Sequence, residues 1–273
     1  MAINLASKFE SKVAERFSQK SITDAYCGHD YHFTGVKTIT VFSVDTVAMN
    51  DYTRSGANRY GTPTELGDTT QELTITKDRS FTYTIDKGNA QEQYNIKHAN
   101  TSLKRQTDEV VTPEIDAYRL SKWAAGAGLS NVDGELDEAT VLKAVFAGQS
   151  AMNNALVPLE GRVVFMRESV YLPLLLANQV VGLDSIGGKS IATGKAVTPR
   201  GDTVVPVPDS LMPTGVNFII KYRGSTVDPV KLNEYKIHTD PPGISGALVE
   251  GRIIYDAFVL DAKKNGIYVS KSA

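Results

Sequence analysis

The chain has 273 residues, of which 41% are hydrophobic, enough for the core of one large domain or two modest ones. Its 29 basic and 31 acidic residues nearly cancel, so no basic field indicates a nucleic-acid-binding protein. Cys27 is the single cysteine, which excludes an internal disulfide and a cysteine cluster for structural zinc. The opening "MAINLASKFESKVAERF" lacks the apolar core of a signal peptide, and the most apolar run, "VYLPLLLANQVVG", is too short to span a bilayer and contains Pro173. We therefore expect a soluble protein made in a reducing cytoplasm, with no membrane partner.

The N-terminal segment has the pattern of a short helix with one narrow apolar stripe. Apolar side chains recur every four residues among charged ones, at Leu5, Phe9, Val13 and Phe17. Such a helix needs a partner surface to be stable. Glycines from Gly28 to Gly35 end the pattern, and residues 36–44 ("VKTITVFSV") predict a strand.

Residues 51–86 are polar and rich in threonine, and they predict a long ribbon. Its last part, "ELTITKDRSFTYTID" (72–86), alternates with period two, which predicts a hairpin that turns at Lys77, Asp78, Arg79 and Ser80. The apolar face of that hairpin consists of Leu73, Ile75, Phe81, Tyr83 and Ile85. Each limb of about 15 residues reaches roughly 50 Å, about the diameter of a compact chain of this size. We therefore expect the ribbon to leave its own body.

The rest of the chain mixes helices and strands without a regular βαβ repeat. A helical region is predicted near 88–106, and Thr112 followed by Pro113 predicts the start of a helix that ends at Gly126. A third helix is expected from about Asp137. Buried strands are predicted at 161–166 and 215–222, a long loop at 182–215, and two closing strands around the turn "KKNG". This pattern indicates an α+β protein.

No motif in the sequence carries the chemistry of an enzyme. "GLDSIGGKS" (182–190) has the wrong spacing for a phosphate-binding loop. "HDYH" (29–32) offers two histidines without a third convergent ligand, and the acidic "SNVDGELDE" (130–138) is better explained as a turn that starts a helix than as a calcium loop. His98 and His238 are isolated, and no nucleophile elbow occurs. We predict no catalytic residue, no metal site and no cofactor.

The order of the segments resembles that of the major capsid proteins of tailed double-stranded DNA phages of the Hong Kong 97 type. The residues "NDYTRSGANRYGTPTELGDTTQELTITKDRSFTYTID" resemble the extended loop of that family, and "VTPEIDAYRLSKWA" resembles the helix region that follows it. "ALVEGRIIYDAFVLDAKKNGIYV" resembles the closing strands in capsid proteins of phages from Gram-positive hosts. The likeness covers nearly the whole chain and rests on a pattern of segments.

The resemblance implies an α+β subunit of four parts. They are an N-terminal arm (1–35), an extended β-hairpin loop (45–86), a peripheral domain (36–44, 87–130 and 236–273) and an axial domain (131–235) whose loop at 184–210 would meet its equivalents at ring centres. It also implies a structural protein, not an enzyme, that self-assembles into the pentamers and hexamers of an icosahedral or prolate head shell around the phage DNA. The expected partners are further copies of the chain, a portal, a separate scaffolding protein and, by nonspecific proximity, packaged DNA. The protein would be located in the virion after assembly in the host bacterial cytoplasm.

For the contacts between subunits we expect the arm residues Leu5, Phe9, Val13 and Phe17 and the ribbon residues Leu73, Ile75, Phe81, Tyr83 and Ile85. The charges Lys77, Asp78 and Arg79 would lie at the loop tip. No spacing identifies a partner for Lys77 or Lys87 in a covalent crosslink. An encapsulin-type compartment, whose shell subunit shares the fold but encloses cargo enzymes, is the alternative. From another class, a small β-rich hydrolase or binding module stays open, and size-exclusion chromatography separates it from a shell-forming protein.

Overall fold

The structure is a computed structural model, and it describes residues 20–28, 31, 33, 37–92, 99–180 and 201–272. Several predictions fall outside these residues. They are the helix with Leu5, Phe9, Val13 and Phe17, the histidines of "HDYH", and residues 184–200 of the predicted axial loop.

The described elements confirm a mixture of helices and strands. The helices are α1 (Lys87–Glu92), α2 (Ala99–Gln106), α3 (Thr112–Ala125), α4 (Val141–Asn154) and α5 (Glu168–Val180), with a π-helical segment at Thr107–Val111 and 3₁₀ turns at Asp24–Tyr26, Arg223–Ser225 and Asp261–Gly266. The strands are β1 (Thr38–Val44), β2 (Asp68–Thr74), β3 (Lys77–Asp86), β4 (Leu129–Val132), β5 (Arg162–Arg167), β6 (Thr203–Val207), β7 (Val216–Tyr222), β8 (Thr226–Val227), β9 (Val230–Thr239), β10 (Gly246–Tyr255), β11 (Phe258–Val259) and β12 (Ile267–Lys271).

A five-stranded sheet forms the largest body, in the order β4-β12-β7-β5-β6. Helices α4 and α5 cover one face, where Met152 and Leu174 pack against Phe218. Helix α3 and the chain near Cys27 cover the other face, where Trp123 packs against Phe165. Because both faces are covered, β5 and β7 are apolar at successive positions, as the runs "RVVFM" and "VNFII" predict.

A second, antiparallel sheet has the order β3-β10-β9. One of its faces is covered by α2, the π-helical segment and α3. On this face Arg79 pairs with Glu114 at 2.7 Å, and the ammonium of Lys77 lies 5.0 Å from the ring centre of Tyr118. A separate antiparallel ribbon consists of β1 and β2 alone, joined by residues 45–67. The ribbon with its connection, residues 38–74, is called the extended loop below.

The hairpin predicted within 72–86 is wrong. Both runs are strands, but β2 pairs with β1 and β3 pairs with β10, so the chain passes from one sheet into another without reversing. No residue between Lys77 and Ser80 has the positive φ that tight hairpin turns favour. Lys77, Asp78 and Arg79 therefore lie in a strand and not at a loop tip. The ribbon of β1 and β2 ends at Thr74, and the mapping of the family's loop to residues 45–86 stays a prediction.

Helix α3 begins at the predicted Thr112, but the predicted capping role of this residue is wrong, because a continuous helical run extends from Ala99 to Ala125. Thr112 has helical dihedrals (φ −60°, ψ −49°) and caps nothing. Pro113 cannot donate a backbone hydrogen bond, and its ring crowds the carbonyl one turn earlier. The π-helical turn just before it relieves this conflict. The predicted end is confirmed, since the Gly126 N–H still bonds the Lys122 carbonyl at 2.9 Å.

The C-terminal strands differ from the prediction in their partners. "KKNG" belongs to the 3₁₀ turn Asp261–Gly266, and the strands on either side of it do not pair with each other. Strand β12 instead lies between β4 and β7 in the five-stranded sheet, although residues 236–273 were expected together in the peripheral part. Residues 203–207 of the predicted axial loop form the edge strand β6 of the same sheet.

Candidate interaction surface

The extended loop projects an apolar surface that its own chain does not cover. Every residue from Val44 to Thr70 is exposed except Gly61. Large apolar side chains are concentrated there: Phe42, Val44, Val47, Met49, Tyr52, Tyr60 and Leu66. Surface apolar groups of this size that form a contiguous set are typical of protein–protein contacts.

The end of the loop has a defined shape. The rings of Tyr52 and Tyr60 meet edge to face with centres 5.0 Å apart. The Thr53 N–H donates to the Arg59 carbonyl at 3.1 Å, which closes the turn. Asn58 has a φ of 55°, and the neighbouring turn is completed by Gly61. The end of the loop therefore has a defined local structure, held by contacts within the loop itself.

The root of the loop is fastened to the body by apolar contacts. Leu73 and Ile75 are only 1% and 2% exposed and pack with Phe33, Val227 and Leu260. Their own chain buries these two residues, and their contact with an adjacent subunit stays a prediction. The amide of Gln71 adds two hydrogen bonds, one to the Val259 carbonyl at 2.9 Å and one from the Asp261 N–H at 3.0 Å.

Asp256 holds the point where the ribbon joins β3. This buried carboxylate accepts hydrogen bonds from the N–H and the hydroxyl of Thr76 at 2.8 and 2.9 Å. It also accepts from the Tyr118 hydroxyl and from the Ala257 N–H, both at 2.8 Å. Burial, together with the bond to Asp256, raises the pKa of Tyr118 to about 12. The junction keeps Thr76 extended and directs β2 away from the sheet.

The remaining ribbon residues of the prediction lie in β3 and face their own helices. Phe81 stacks on Tyr83 and lies against Tyr235, with ring centres 6.3 and 6.0 Å apart, and the Tyr83 hydroxyl bonds that of Ser102. Ile85 shares this face. All three predicted residues are half-buried, so their contact with a neighbouring subunit stays a prediction.

The three charged residues at the start of β3 have partners within the chain. Arg79 pairs with Glu114, Lys77 lies over the ring of Tyr118, and Asp78 accepts from Arg252 at 2.6 Å on the opposite face. These pairs are exposed, so each contributes little to stability, and they lie along β3 and not at a tip.

A buried polar cluster fixes the segment 20–28, at the start of the part of the chain that the structure describes. Asp116 accepts hydrogen bonds from Ser21, Ile22 and Thr23. Deeper in the chain, the ammonium of Lys221 donates to the Tyr26 carbonyl at 2.6 Å, and the Asp228 carboxylate lies 4.0 Å away.

Around Lys221 the environment is closed and polar. The Trp123 indole N–H donates to Asp228 at 2.8 Å, and its ring centre lies 4.1 Å from the Lys221 ammonium. Burial lowers the pKa of Lys221 to about 8, although the Asp228 charge opposes the shift. Burial also raises the pKa of the Cys27 thiol to about 12. These groups have partners within the chain, so we assign them to fastening the segment 20–28.

The described residues bear on the sequence-based expectations for metal ligands, membrane spans and the acidic stretch. No three histidine, cysteine, aspartate or glutamate side chains among them converge where a metal ion could bind. None of the helices in the described ranges is long and apolar enough to cross a membrane. The acidic stretch near Asp137 starts a helix as predicted, because its carboxylate accepts from the N–H groups of Ala139 and Thr140.

Sequence reasoning missed the exposed apolar residues between Phe42 and Leu66. They are spaced irregularly in a polar stretch, so no helical or strand period selects them. The available signal was their occurrence between glycines and charges in a segment already expected to project. Only the pairing of β2 with β1 in the structure shows that these side chains are exposed.

The fold is shared with solved phage structures over almost the full length of the chain. A structure from Mycobacterium phage Che8 is 14% identical and covers 99% of both chains with a TM-score of 0.74. The capsid of Cyanophage P-SCSP1u is 12% identical, with a TM-score of 0.80, and 99% of this chain and 93% of that chain are covered. The mature capsid of bacteriophage PhiM1 is 11% identical, with a TM-score of 0.77, and the coverage is 98% and 91%. No protein-family model and no curated protein matches the sequence.

Proposed function

We propose that this chain, which has the fold of tailed-phage capsid proteins, is the structural subunit of a phage head shell. In this function it self-assembles into pentamers and hexamers that enclose double-stranded DNA. The resemblance found in the sequence is confirmed at the level of the fold. At 11–14% identity the fold alone is shared, so the function rests on the surfaces that the chain presents.

The observation that carries the proposal is the extended loop, which is fastened at its root and exposed from Val44 to Thr70 except at Gly61. An isolated two-stranded ribbon is marginally stable in water. This ribbon also exposes the side chains of Phe42, Val47 and Met49. Apolar side chains that form such an exposed surface are unfavourable in water unless a partner covers them. A neighbouring copy that covers it gains apolar contact area, and head-to-tail contacts of this kind close into rings.

In such a ring, the two sheets would form the two main parts of each subunit. We assign the three-stranded sheet with its long helical run to the peripheral part, and the five-stranded sheet to the axial part. The same subunit must fit rings of five and six, which requires small changes of angle between neighbours. Gly56 and Gly61, both with φ near 90°, lie in the loop and not at its anchored root, so the loop can adapt while Asp256 keeps its direction.

Other partners follow from the same proposal. The arm residues Leu5, Phe9, Val13 and Phe17 would dock on a neighbouring copy or on the long helical run. Phe81, Tyr83 and Ile85 would add contact area from the peripheral sheet. A scaffolding protein and a portal would direct assembly in the host cytoplasm. The near-neutral charge suits a wall that touches packaged DNA only weakly and nonspecifically.

Removing the projecting part of the loop tests the proposal. The Asp45 N–H bonds the Gly67 carbonyl at 3.0 Å, so an Asn-Gly turn can replace residues 46–66 without disturbing β1 or β2. We expect the shortened chain to be soluble, with unchanged circular dichroism and melting temperature, and to form no shells in electron micrographs. Normal shells from this variant would refute the proposal. A chain with an equally long Gly-Ser segment in place of residues 46–66 serves as the control for loop length.

A further inference from the structure

A small pocket with both apolar and polar lining lies between β3, β10 and the helical run 99–125. It has a volume of about 120 Å³. Phe81, Ile115 and Ile253 supply apolar surface, and Val110 lies at the mouth, where it is 48% exposed. No residue of the extended loop lines the pocket, so it is separate from the apolar surface described above.

The pocket lies beside the π-helical segment of the helical run. This segment, Thr107–Val111, contributes Val110 and Val111 to the lining, and Gln106 directly precedes it. Pro113 requires a distortion of the helix at this point, and the distorted turn forms one wall of the pocket. Single π-helical turns are rare, and they occur frequently at functional sites. The helix geometry therefore points to the same place as the cavity.

The polar part of the lining has groups that are available for hydrogen bonds. Within the described part of the chain, the hydroxyl of Ser80 and the side-chain amide of Gln106 have no hydrogen-bond partner. Arg79 and Glu114 differ from them, because they pair at 2.7 Å, and Glu114 also accepts from the Tyr255 hydroxyl at 3.2 Å. A neutral ligand can therefore bond the hydroxyl or the amide without breaking the charged pair.

We propose that this pocket is a binding site for a small molecule with one apolar ring and one hydrogen-bonding group, such as a phenol. An apolar cavity of ~150 Å³ holds benzene, so a single ring has the size that this pocket accepts. The ring lies against Phe81 and Ile253, and its hydroxyl bonds Ser80 or Gln106. The site goes beyond the proposed function, because its occupation needs no second copy of the chain.

A bound ring joins the helical run to the sheet. It contacts Ile115 on α3, Phe81 on β3 and Ile253 on β10, three elements that are far apart in the sequence. A phenol has seven non-hydrogen atoms, and for a ligand of this size we expect a Kd of about 1 mM. Because the ligand binds only the folded chain, 10 mM of it should raise the melting temperature by roughly 3 °C.

Saturation-transfer NMR with phenol tests the site on the purified full chain, whether free or assembled. We expect saturation to pass from the protein to the ring protons of phenol, together with the rise in melting temperature. Val110→Trp fills the mouth of the pocket and should abolish both effects. The matched control is Val132→Trp, which changes a valine that is 63% exposed on β4, and it should leave both effects unchanged.

Toluene separates the apolar contribution from the polar one, since it has the ring without the hydroxyl. The double variant Ser80→Ala, Gln106→Leu removes both hydrogen-bonding groups from the lining. We expect this variant to bind phenol roughly three- to tenfold more weakly than the wild type, the effect of one lost hydrogen bond. Its affinity for toluene should be unchanged. Equal weakening for both ligands would contradict the proposed role of these groups.

The remaining outcomes decide whether the pocket is a site at all. Equal saturation transfer in the wild type and in Val110→Trp would show that phenol binds elsewhere, and it would overturn the assignment. Absence of both saturation transfer and stabilisation in the wild type at 10 mM phenol would overturn it as well. Neither result affects the proposed shell function, which the shortened loop tests independently.

Discussion

Asp256 gives the sharpest test of how the extended loop is fastened. Replacing it by alanine removes four hydrogen bonds at once, those from the N–H and hydroxyl of Thr76, from Tyr118 and from the Ala257 N–H. Thr76 is exposed, so water can take over two of them, but the Tyr118 hydroxyl and the Ala257 N–H lie where water has less access. The loss should therefore be smaller than the sum of the four bonds.

The expected cost follows from bonds of this type. A hydrogen bond to a charged group contributes roughly 1.5–3 kcal/mol, and bonds that share one carboxylate are not additive. We expect Asp256→Ala to lower the free energy of unfolding by about 3 kcal/mol in total. For a chain of this size that corresponds to a melting temperature lower by roughly 6–12 °C. Asp256→Asn keeps the shape and part of the bonding, so its effect should be about half as large.

Two measurements follow the change. Trp123 is the only tryptophan and is buried far along the chain from Asp256, so its fluorescence during urea titration reports global unfolding. Hydrogen exchange of the amides in β2 and at Thr76 reports whether the root has loosened. The control is Asp78→Ala, which removes an exposed carboxylate of the neighbouring strand and should leave both measurements unchanged.

Some results would refute this reasoning. If Asp256→Ala unfolds at the wild-type midpoint, the buried carboxylate contributes nothing and the root is held by apolar contacts alone. If the midpoint falls but exchange at Thr76 stays slow, Asp256 stabilises the body without fastening the loop.

Three further predictions concern the segment 20–28 and the residues packed against it. Gly28→Ala would place a Cβ 1.9 Å from the Thr226 carbonyl oxygen, so it should lower the free energy of unfolding in urea by about 3 kcal/mol or more. Cys27, whose pKa burial raises to about 12, should resist maleimide in the native chain at pH 8 and react after unfolding; rapid native labelling would contradict its burial. Burial lowers the pKa of Lys221 to about 8 from 10.5, and between these values only the unfolded chain keeps the proton, so stability gains a contribution that rises with pH. Denaturation at stepped pH should show this slope in the wild type and lose it in Lys221→Met.

Strongly periodic segments were predictable from the sequence because their residues meet the same environment in any packing. The runs at β5 and β7 are apolar at successive positions, which only a strand covered on both faces explains. The glycine after Ala125 ended its helix as expected. The α+β class and the resemblance to phage capsid proteins followed from the order of such segments.

The pairing of the strands could not be predicted from such local patterns. The run at 72–86 alternates as a hairpin would, yet its two halves join different sheets. What decides this lies far along the chain, since Asp256 holds Thr76 across 180 residues and β10 supplies the partner of β3. An alternation with period two predicts which side chains share a face of a strand, but it does not predict which segment packs against that face.

For the candidate contact surface, too, some features were predictable from the sequence and others were not. The sequence by itself predicted that a long polar segment projects and that the runs on either side of Thr76 each have an apolar face. Only the tertiary structure decided that Leu73 and Ile75 are buried at home while Met49 is left bare, and that a pocket opens beside Val110. The physical reason is that burial depends on which distant segment covers a side chain, and that information lies in the packing of the whole chain, not in the local pattern.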